Sequence, residues 1–259
     1  MKILSWNVNG VRAVFKKGFA DWIQQTQPDI LCLQETKAEV HQLPIEINAL
    51  SAYHHDWVSS KTRKGYSGVG LFSKTAPLHI ASGFGIQRFD EEGRVQSADF
   101  GDFLLFNVYF PNGKASPERL QYKMDFYHAF LSHLTTLLEK GKRIIVVGDV
   151  NTAHTAIDLA RPKENEKVSG FLPIEREWID QLLAQGFVDS FRTLHPEGGH
   201  YSWWDLKSGA RERNVGWRID YVFVSENLFG RVKSAFMLPD VMGSDHCPVG
   251  IEIDEDIRK

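Results

Sequence analysis

Arg143-Ile144-Ile145-Val146-Val147-Gly148-Asp149-Val150-Asn151-Thr152-Ala153-His154 is the stretch on which the fold turns. Five residues, Ile144 to Gly148, carry no polar side chain, and four of them are β-branched. A strand covered on both faces reads this way. On an extended chain Asp149 and Asn151, two residues apart, point to one side. The run therefore predicts a polar cleft at the C-terminal rim of a sheet. Asp and Asn also favour turns and caps, so this stretch alone leaves an edge turn open as a second reading.

The bulk properties narrow the classes. A chain of 259 residues makes one large domain or two small ones. No Pro/Gly/Ser-rich linker divides it, so one domain over residues 1–259 is expected. A net charge of -3 gives no global basic field, and any phosphate contact must come from local patches. The two cysteines, Cys32 and Cys247, fit no metal-ligand spacing and predict reduced thiols. Strand-like Ile3-Leu4 follows the first residues where a signal peptide would need a long apolar region, and no run has the length of a membrane span. These features predict a cytoplasmic protein with no membrane partner.

Outward from the opening stretch, Lys2 to Val8 reads as a strand, with Asn7 and Asn9 on one face. Gly18 to Gln25 reads as a helix with Phe19, Trp22 and Ile23 at core spacing, ended by Pro28. Asp29 to Leu33 is a second apolar strand running into Gln34-Glu35-Thr36-Lys37, and a short helix falls near Pro44 to Leu50. Tyr53 to Ser59 and Gly68 to Ser73 are strands split by Lys61-Thr62-Arg63-Lys64-Gly65-Tyr66. Arg94 to Phe100 and Phe103 to Tyr109 predict a hairpin turned at Gly101-Asp102. A long amphipathic helix fits Pro117 to Glu139, capped by Ser116. Residues 155–173 read as a long irregular loop, which in a compact domain usually carries function. Glu175 to Ala184 is helical, and Tyr201 to Trp204, Arg218 to Ser225, Val232 to Leu238 and Val249 to Ile253 are strands. Helices and strands mix without strict alternation. The pattern predicts an α/β fold with two mixed β-sheets packed face to face and helices outside.

Polar residues gather where these strands end: Asn7, Glu35, Tyr109, Asn112, Asp149 and Asn151, then Asp220 and the run Gly243-Ser244-Asp245-His246-Cys247-Pro248. Each has a plain alternative. Glu35 suits the first turn of a helix, Tyr109 an amphipathic core position, Asp220 an ion pair with Arg218, and Asp245-His246 a turn before Pro248. Together they fit one chemistry. The oxygens of Glu35, Asp245, Asp149, Asn7 and Asn151 are hard donors suited to Mg²⁺ or Mn²⁺ rather than zinc. A histidine, a tyrosine and asparagine amides can donate to a phosphate as its charge grows. A carboxylate can take a proton from an attacking water. No serine or cysteine sits in a nucleophile setting, so the pattern points to metal-assisted phosphodiester hydrolysis.

Ser5-Trp6-Asn7-Val8-Asn9-Gly10, Leu33-Gln34-Glu35-Thr36-Lys37, Gly65-Tyr66-Ser67-Gly68, Asn107-Val108-Tyr109-Phe110-Pro111-Asn112, Gly148-Asp149-Val150-Asn151, Asn214-Val215-Gly216-Trp217-Arg218-Ile219-Asp220-Tyr221 and Gly243-Ser244-Asp245-His246 follow one another in this order. In this the chain strongly resembles the exonuclease III family of apurinic/apyrimidinic endonucleases, in its bacterial branch, within the endonuclease/exonuclease/phosphatase superfamily. The resemblance spans essentially the whole chain. It implies a four-layer α/β sandwich of the deoxyribonuclease I-like kind and Mg²⁺-dependent cleavage on the 5′ side of abasic sites, with Mn²⁺ as a substitute ion. A 3′→5′ exonuclease and removal of blocked 3′ ends accompany it. The implied partner is duplex DNA with abasic sites or blocked 3′ ends, met by a monomer that is nucleoid-associated when acting on DNA.

Carried over by position, Glu35 and Asp245 resemble metal ligands, with Asn7 beside them and Asp149, Asn151 and His246 around the ion. Asp149 matches the group that deprotonates water, Asn151 and His246 match phosphate contacts, and Asp220 matches the acid that keeps His246 cationic. Tyr109 matches a phosphate contact or a proton donor to the leaving oxygen. Arg12, Lys16, Lys17, Lys61, Arg63 and Lys64 would meet DNA phosphates. Tyr66, Asn112 and Asn165 match DNA contacts, and Trp203 and Trp217 match the wall around a flipped abasic sugar. Gly170 is expected to leave room for a continuous duplex.

Three sites, four residues in all, depart from the family pattern. Lys114 replaces an arginine found a few residues after the Tyr-x-Pro-Asn run, Leu206-Lys207 replaces a bulky apolar wedge, and Asn9 stands where some relatives carry Asp. Alternatives inside the superfamily are a non-specific deoxyribonuclease, an inositol-phosphate phosphatase or a sphingomyelinase. From another class comes a non-catalytic DNA-binding relative, disfavoured because no catalytic position is vacant.

Overall fold

The computed structural model describes residues 1–255; the last four of the expected 1–259 domain lie outside the described residues. The chain forms strands β1 (Lys2–Asn7), β2 (Ile30–Gln34), β3 (His54–Val58), β4 (Val69–Ser73), β5 (His79–Ser82), β6 (Val95–Asp99), β7 (Leu104–Tyr109) and β8 (Ile144–Asp149). They are followed by β9 (Phe187–Asp189), β10 (Trp203–Trp204), β11 (Gly216–Trp217), β12 (Asp220–Ser225), β13 (Val232–Met237) and β14 (Val249–Ile253). One six-stranded sheet has the order β13-β14-β1-β2-β4-β3 and the other β5-β6-β7-β8-β12-β9. Both are mixed, since β1 and β2 pair parallel, as do β7 and β8, within otherwise antiparallel ladders. The fold is the expected four-layer α/β sandwich.

The opening stretch shows why the layers form. All four side chains Ile144 to Val147 are at most 1% exposed, worth about 1.5–3 kcal/mol each in burial. Alternation splits them. Ile144 and Val146 pack outward with Phe126, Phe130, Trp178 and Ile179 of the helices Pro117–Glu139 and Pro173–Ala184. Ile145 and Val147 pack inward with Cys32, Leu71, Leu105 and Ile251 from both sheets. On the far side Leu4, Trp6, Leu31 and Phe72 meet Phe19 and Ile23 of the helix Phe19–Thr26. Gly148 follows, one residue before the strand ends. A Cβ there would lie 1.9 Å from the Val108 carbonyl oxygen, and its φ is +142°, so only glycine lets β7 and β8 approach this closely.

Several elements differ from their expected form. Pro28 does not end the first long helix; Gln27, at φ +46°, does. The expected strand over Tyr201 to Trp204 shrinks to β10, which forms a separate ribbon with β11. The strand expected from Arg218 begins at Asp220. Residues 155–173 hold a 3-10 turn at Ala156–Asp158 and a helical turn at Pro162–Asn165. Cys32 and Cys247 are free and buried. Among the described residues no helix is long and apolar enough to cross a membrane.

Candidate active site

Strand register brings the first charges together. Tyr109 pairs across with Asp149, and Asp149 with Asp220, so three adjacent strand ends present them side by side. His246 arrives from the loop before β14 and is held by its own backbone: Trp6 Nε1 donates to its carbonyl at 3.1 Å, and a β-bridge joins it to Trp203. His246 Nδ1 meets Asp220 Oδ2 at 2.8 Å, and Nε2 faces Asp149 Oδ2 at 3.9 Å. Burial alone would strip the imidazole of its proton. The carboxylates of Asp220 and Asp149 outweigh it and push the His246 pKa up to about 10. Burial also pushes the Asp149 carboxyl up, to about 7, against the pull of the imidazolium. A base poised near neutrality thus stands beside a fixed cation.

The backbone sharpens this cluster. Asn151 is left-handed, at φ +57°, so the chain past β8 is a tight turn and not the extended run that the spacing implied. The turn folds the amide back: Asn151 N donates to Asp149 Oδ1 at 2.8 Å, and Nδ2 donates to the Phe110 carbonyl at 3.0 Å and to Asp149 Oδ2 at 3.3 Å. Asn151 Oδ1 accepts from Asn112 Nδ2 at 2.8 Å. Asn9, Glu35 and Lys37 are left-handed as well, with φ of 45°, 54° and 52°. Non-glycine residues in this region are costly, and they cluster here around one cleft.

Asn7 departs from its expected role as an oxygen ligand. Its Oδ1 accepts from the Asn9 N–H at 2.9 Å, which turns its nitrogen toward the acids. Nδ2 donates to Asp149 Oδ2 at 2.8 Å and to Glu35 Oε2 at 3.1 Å, tying the two sheets' carboxylates together. Glu35 Oε1 meets Lys37 Nζ at 2.8 Å. Lys37 also donates to Asn9 Oδ1, and Asn9 Nδ2 donates to Asp245 Oδ1 at 3.0 Å. Asp245 Oδ2 accepts from Trp203 Nε1 at 3.0 Å. Although burial would raise the Asp245 carboxyl, the His246 charge and the Trp203 and Asn9 hydrogen bonds hold it below the usual range.

These side chains line a polar cavity of about 290 Å³. Glu35, Asp149, Asn151, Asp245 and His246 line it together with Tyr109, Asn112, Lys114, Trp203, Trp217 and Gly170. Burial and the nearby Glu35 charge raise the Tyr109 phenol well above its ordinary value, so it stays a donor. Its ring lies over the Arg94 guanidinium at 4.8 Å. Trp203 and Trp217 meet edge to face, 6.4 Å apart, and Lys114 Nζ sits 5.8 Å and 5.7 Å from their ring centres. Gly170 leaves room inside the cavity: a Cβ would come within 3.3 Å of the Asn151 carbonyl oxygen and of the Trp217 ring. A larger, mostly apolar groove of about 790 Å³ lies behind β10, rimmed by the exposed Leu206, but the charged chemistry lines the smaller cavity.

Acidic residues here form a possible metal site. Asp149, Asp220 and His246 bring ligand atoms within 4.8 Å of one another, and Glu35 and Asp245 add hard oxygens to the same cavity. While protonated, His246 has no lone pair to give, and the carboxylates are then the donors.

The remaining candidate contacts lie outside the cavity. Arg12 and Lys64 are exposed. The Tyr66 hydroxyl accepts from Arg94 at 2.6 Å and Arg119 at 3.1 Å. Asn165 Nδ2 donates to the Arg161 carbonyl at 2.7 Å. Ser202, Lys37 and Arg94 were not singled out by sequence. Ser202 Oγ donates to Asp220 Oδ2 at 2.7 Å and accepts from two backbone amides, fixing the acid that faces His246. Its only signal in the sequence is adjacency to Trp203.

The chain has counterparts among known proteins. The Endonuclease/Exonuclease/phosphatase family profile matches residues 4–246. The chain belongs to that family. Within it, the chain is 45% identical over 255 residues to an exodeoxyribonuclease of Bacillus subtilis, covering 98% of this chain and 99% of the relative. It is 44% identical over 251 residues to the DNA repair nuclease APEX1 of Danio rerio, covering 96% and 81%. A solved structure of a 3′ phosphatase from Neisseria bound to a product DNA hairpin superimposes with a TM-score of 0.90 at 29% identity, covering 98% of this chain and all of that one.

Proposed function

We propose that this member of the Endonuclease/Exonuclease/phosphatase family is a divalent-metal-dependent DNA repair nuclease. It hydrolyses the phosphodiester 5′ to abasic sites in duplex DNA, works as a 3′→5′ exonuclease, and clears blocked 3′ ends. The observation that carries this reading is the buried Asp149–His246–Asp220 cluster opening onto a polar cavity walled by two tryptophans. The exodeoxyribonuclease, DNA repair nuclease and DNA-bound 3′ phosphatase among its relatives support it.

Each residue then has a task. Asp149 orients a water and takes its proton, with a carboxyl tuned near neutrality. The His246 imidazolium faces the phosphate and stabilises its growing charge, and Asn151 donates to Asp149 and holds that base beside it. Asp220, held by Ser202, keeps His246 cationic. Tyr109 stays protonated and donates toward the leaving oxygen. Mg²⁺ held by Glu35 and Asp245 would add positive charge against the phosphate oxygens. Asn7 holds Glu35 and Asp149 in register from behind, and Trp203 and Trp217 enclose a sugar that carries no base. Arg12, Lys64, Tyr66, Asn112 and Asn165 sit along the duplex path.

One assay panel tests the reading: an abasic duplex, a blunt undamaged duplex, a 3′-phosphate duplex and an inositol phosphate, each with EDTA and with Mg²⁺ restored. The abasic duplex is expected to be cut fastest, only with metal. Faster turnover of the inositol phosphate, or full incision in EDTA, would overturn it.

A further inference from the structure

Lys123 and Glu175 are both fully buried, Lys123 inside the helix Pro117–Glu139 and Glu175 in the first turn of the helix Pro173–Ala184. Neither reaches the cavity. Lys123 Nζ has three N–H groups and three acceptors: Glu175 Oε1 at 2.6 Å, Thr152 Oγ1 at 2.8 Å and the Asn151 carbonyl at 2.8 Å. Glu175 is equally occupied. Its Oε1 also accepts from Ser169 Oγ at 2.8 Å, and its Oε2 accepts from Gly170 N at 2.6 Å and Leu172 N at 3.1 Å.

An ion pair in the interior is a weak way to join two helices, because desolvation cancels much of its attraction and an apolar pair of similar volume serves as well or better. What an apolar pair cannot do is bind backbone. This pair grips two neighbouring segments of the cavity lining: the left-handed Asn151-Thr152 turn and the Ser169-to-Leu172 loop. Those segments already touch, since Ala153 N donates to the Gly170 carbonyl at 2.8 Å. The turn also has an independent anchor, for Tyr127 donates to the Val150 carbonyl at 2.7 Å.

We propose that Lys123 and Glu175 are positioning residues that fix the Asn151 turn and the Gly170 wall relative to each other, and so set the cavity geometry in which Asn151 holds Asp149. This rests on the nuclease reading of the same cavity. Small misplacements of reacting groups are costly in rate even where folding is untouched.

The test separates geometry from stability. Lys123→Met/Glu175→Gln removes both charges but keeps acceptors for Gly170 N and Leu172 N. The double variant is expected to melt within a few degrees of wild type and to bind an abasic duplex within about threefold. Its single-turnover incision should fall roughly tenfold to a hundredfold. Amide hydrogen exchange should speed up at residues 151–153 and 169–172 and stay unchanged in β8. Lys123→Arg, which keeps charge and donors, should recover most of the rate. Incision at the wild-type rate with unchanged exchange would overturn the proposal. So would a rate lost only in proportion to the folded fraction. A wild-type protein that fails to cut the abasic duplex would defeat the nuclease reading instead, and the exchange measurement would still judge the pair.

Discussion

Two buried charged clusters stand on either side of Ile219, and they differ in one respect. Arg218 donates from Nε to Asp158 at 2.6 Å and from both terminal nitrogens to Asp189 at 3.1 and 2.7 Å, while Arg192 adds a contact to Asp158. Two cations meet two carboxylates, and together the guanidiniums outweigh burial and hold Asp158 far below its ordinary value. Two residues on, Asp220 is just as buried but unevenly matched. One imidazolium serves both Asp220 and Asp149, Asp220 Oδ1 has no hydrogen-bond partner among the described residues, and Asp149 is pushed up to about 7. In the first cluster two guanidiniums balance two carboxylates, and none of its four residues lines the cavity. In the second, two carboxylates share one cation and the cluster faces the cavity. The balance of charge separates scaffold from candidate site here, where burial does not.

That contrast breaks most sharply at Asp149. Asp149→Asn should slow abasic incision by roughly 10²–10⁴-fold, the scale of a lost general base, with DNA affinity nearly unchanged. Wild-type incision would remove Asp149 from the chemistry. Arg218→Met should do the reverse. It leaves Asp158 and Asp189 buried without their main partner and should cost about 3–5 kcal/mol of stability. A drop of roughly 10 °C in melting temperature is expected, while the folded fraction still cuts at close to the wild-type rate. A large loss of turnover without loss of stability would erase the distinction between the clusters. The smallest effect concerns the cavity wall. Trp217→Ala should weaken abasic incision by roughly ten- to thirtyfold, as for one lost aromatic anchor, and digestion of blunt ends less. Equal losses on both substrates would argue against a sugar-enclosing role.

The same contrast shows how far the sequence reaches. Apolar strands that end in polar residues announce themselves, so Tyr109, Asp149 and Asp220 stand out at the rim of one sheet, and Asn7 and Glu35 at the rim of the other. Pairing is less legible. Asp220 lies two residues from Arg218, and an ion pair between them was a fair alternative, yet the backbone turns them to different neighbours 26 to 60 residues away. Asn7 was readable as a residue but not as a direction, because only the Asn9 amide decides which end of the carboxamide faces the acids. Left-handed turns at Glu35 and Asn151 leave no periodic trace, since neither residue type demands them. The ribbon of β10 and β11 is too short to show alternation. Lys123 and Glu175 read as ordinary helix-surface charges, and only packing of the helix Pro117–Glu139 against the helix Pro173–Ala184 buries them.

The central claim is that one imidazolium is trapped between two carboxylates, one of which is thereby left available as a base. Following the ring nitrogens of His246 by NMR across pH, with a His246→Asn sample to assign them, tests it directly. The imidazole should stay protonated through neutrality and titrate near 10 in the wild type, and Asp220→Asn should bring the titration down. An ordinary titration near 6.5 in both proteins would contradict the account.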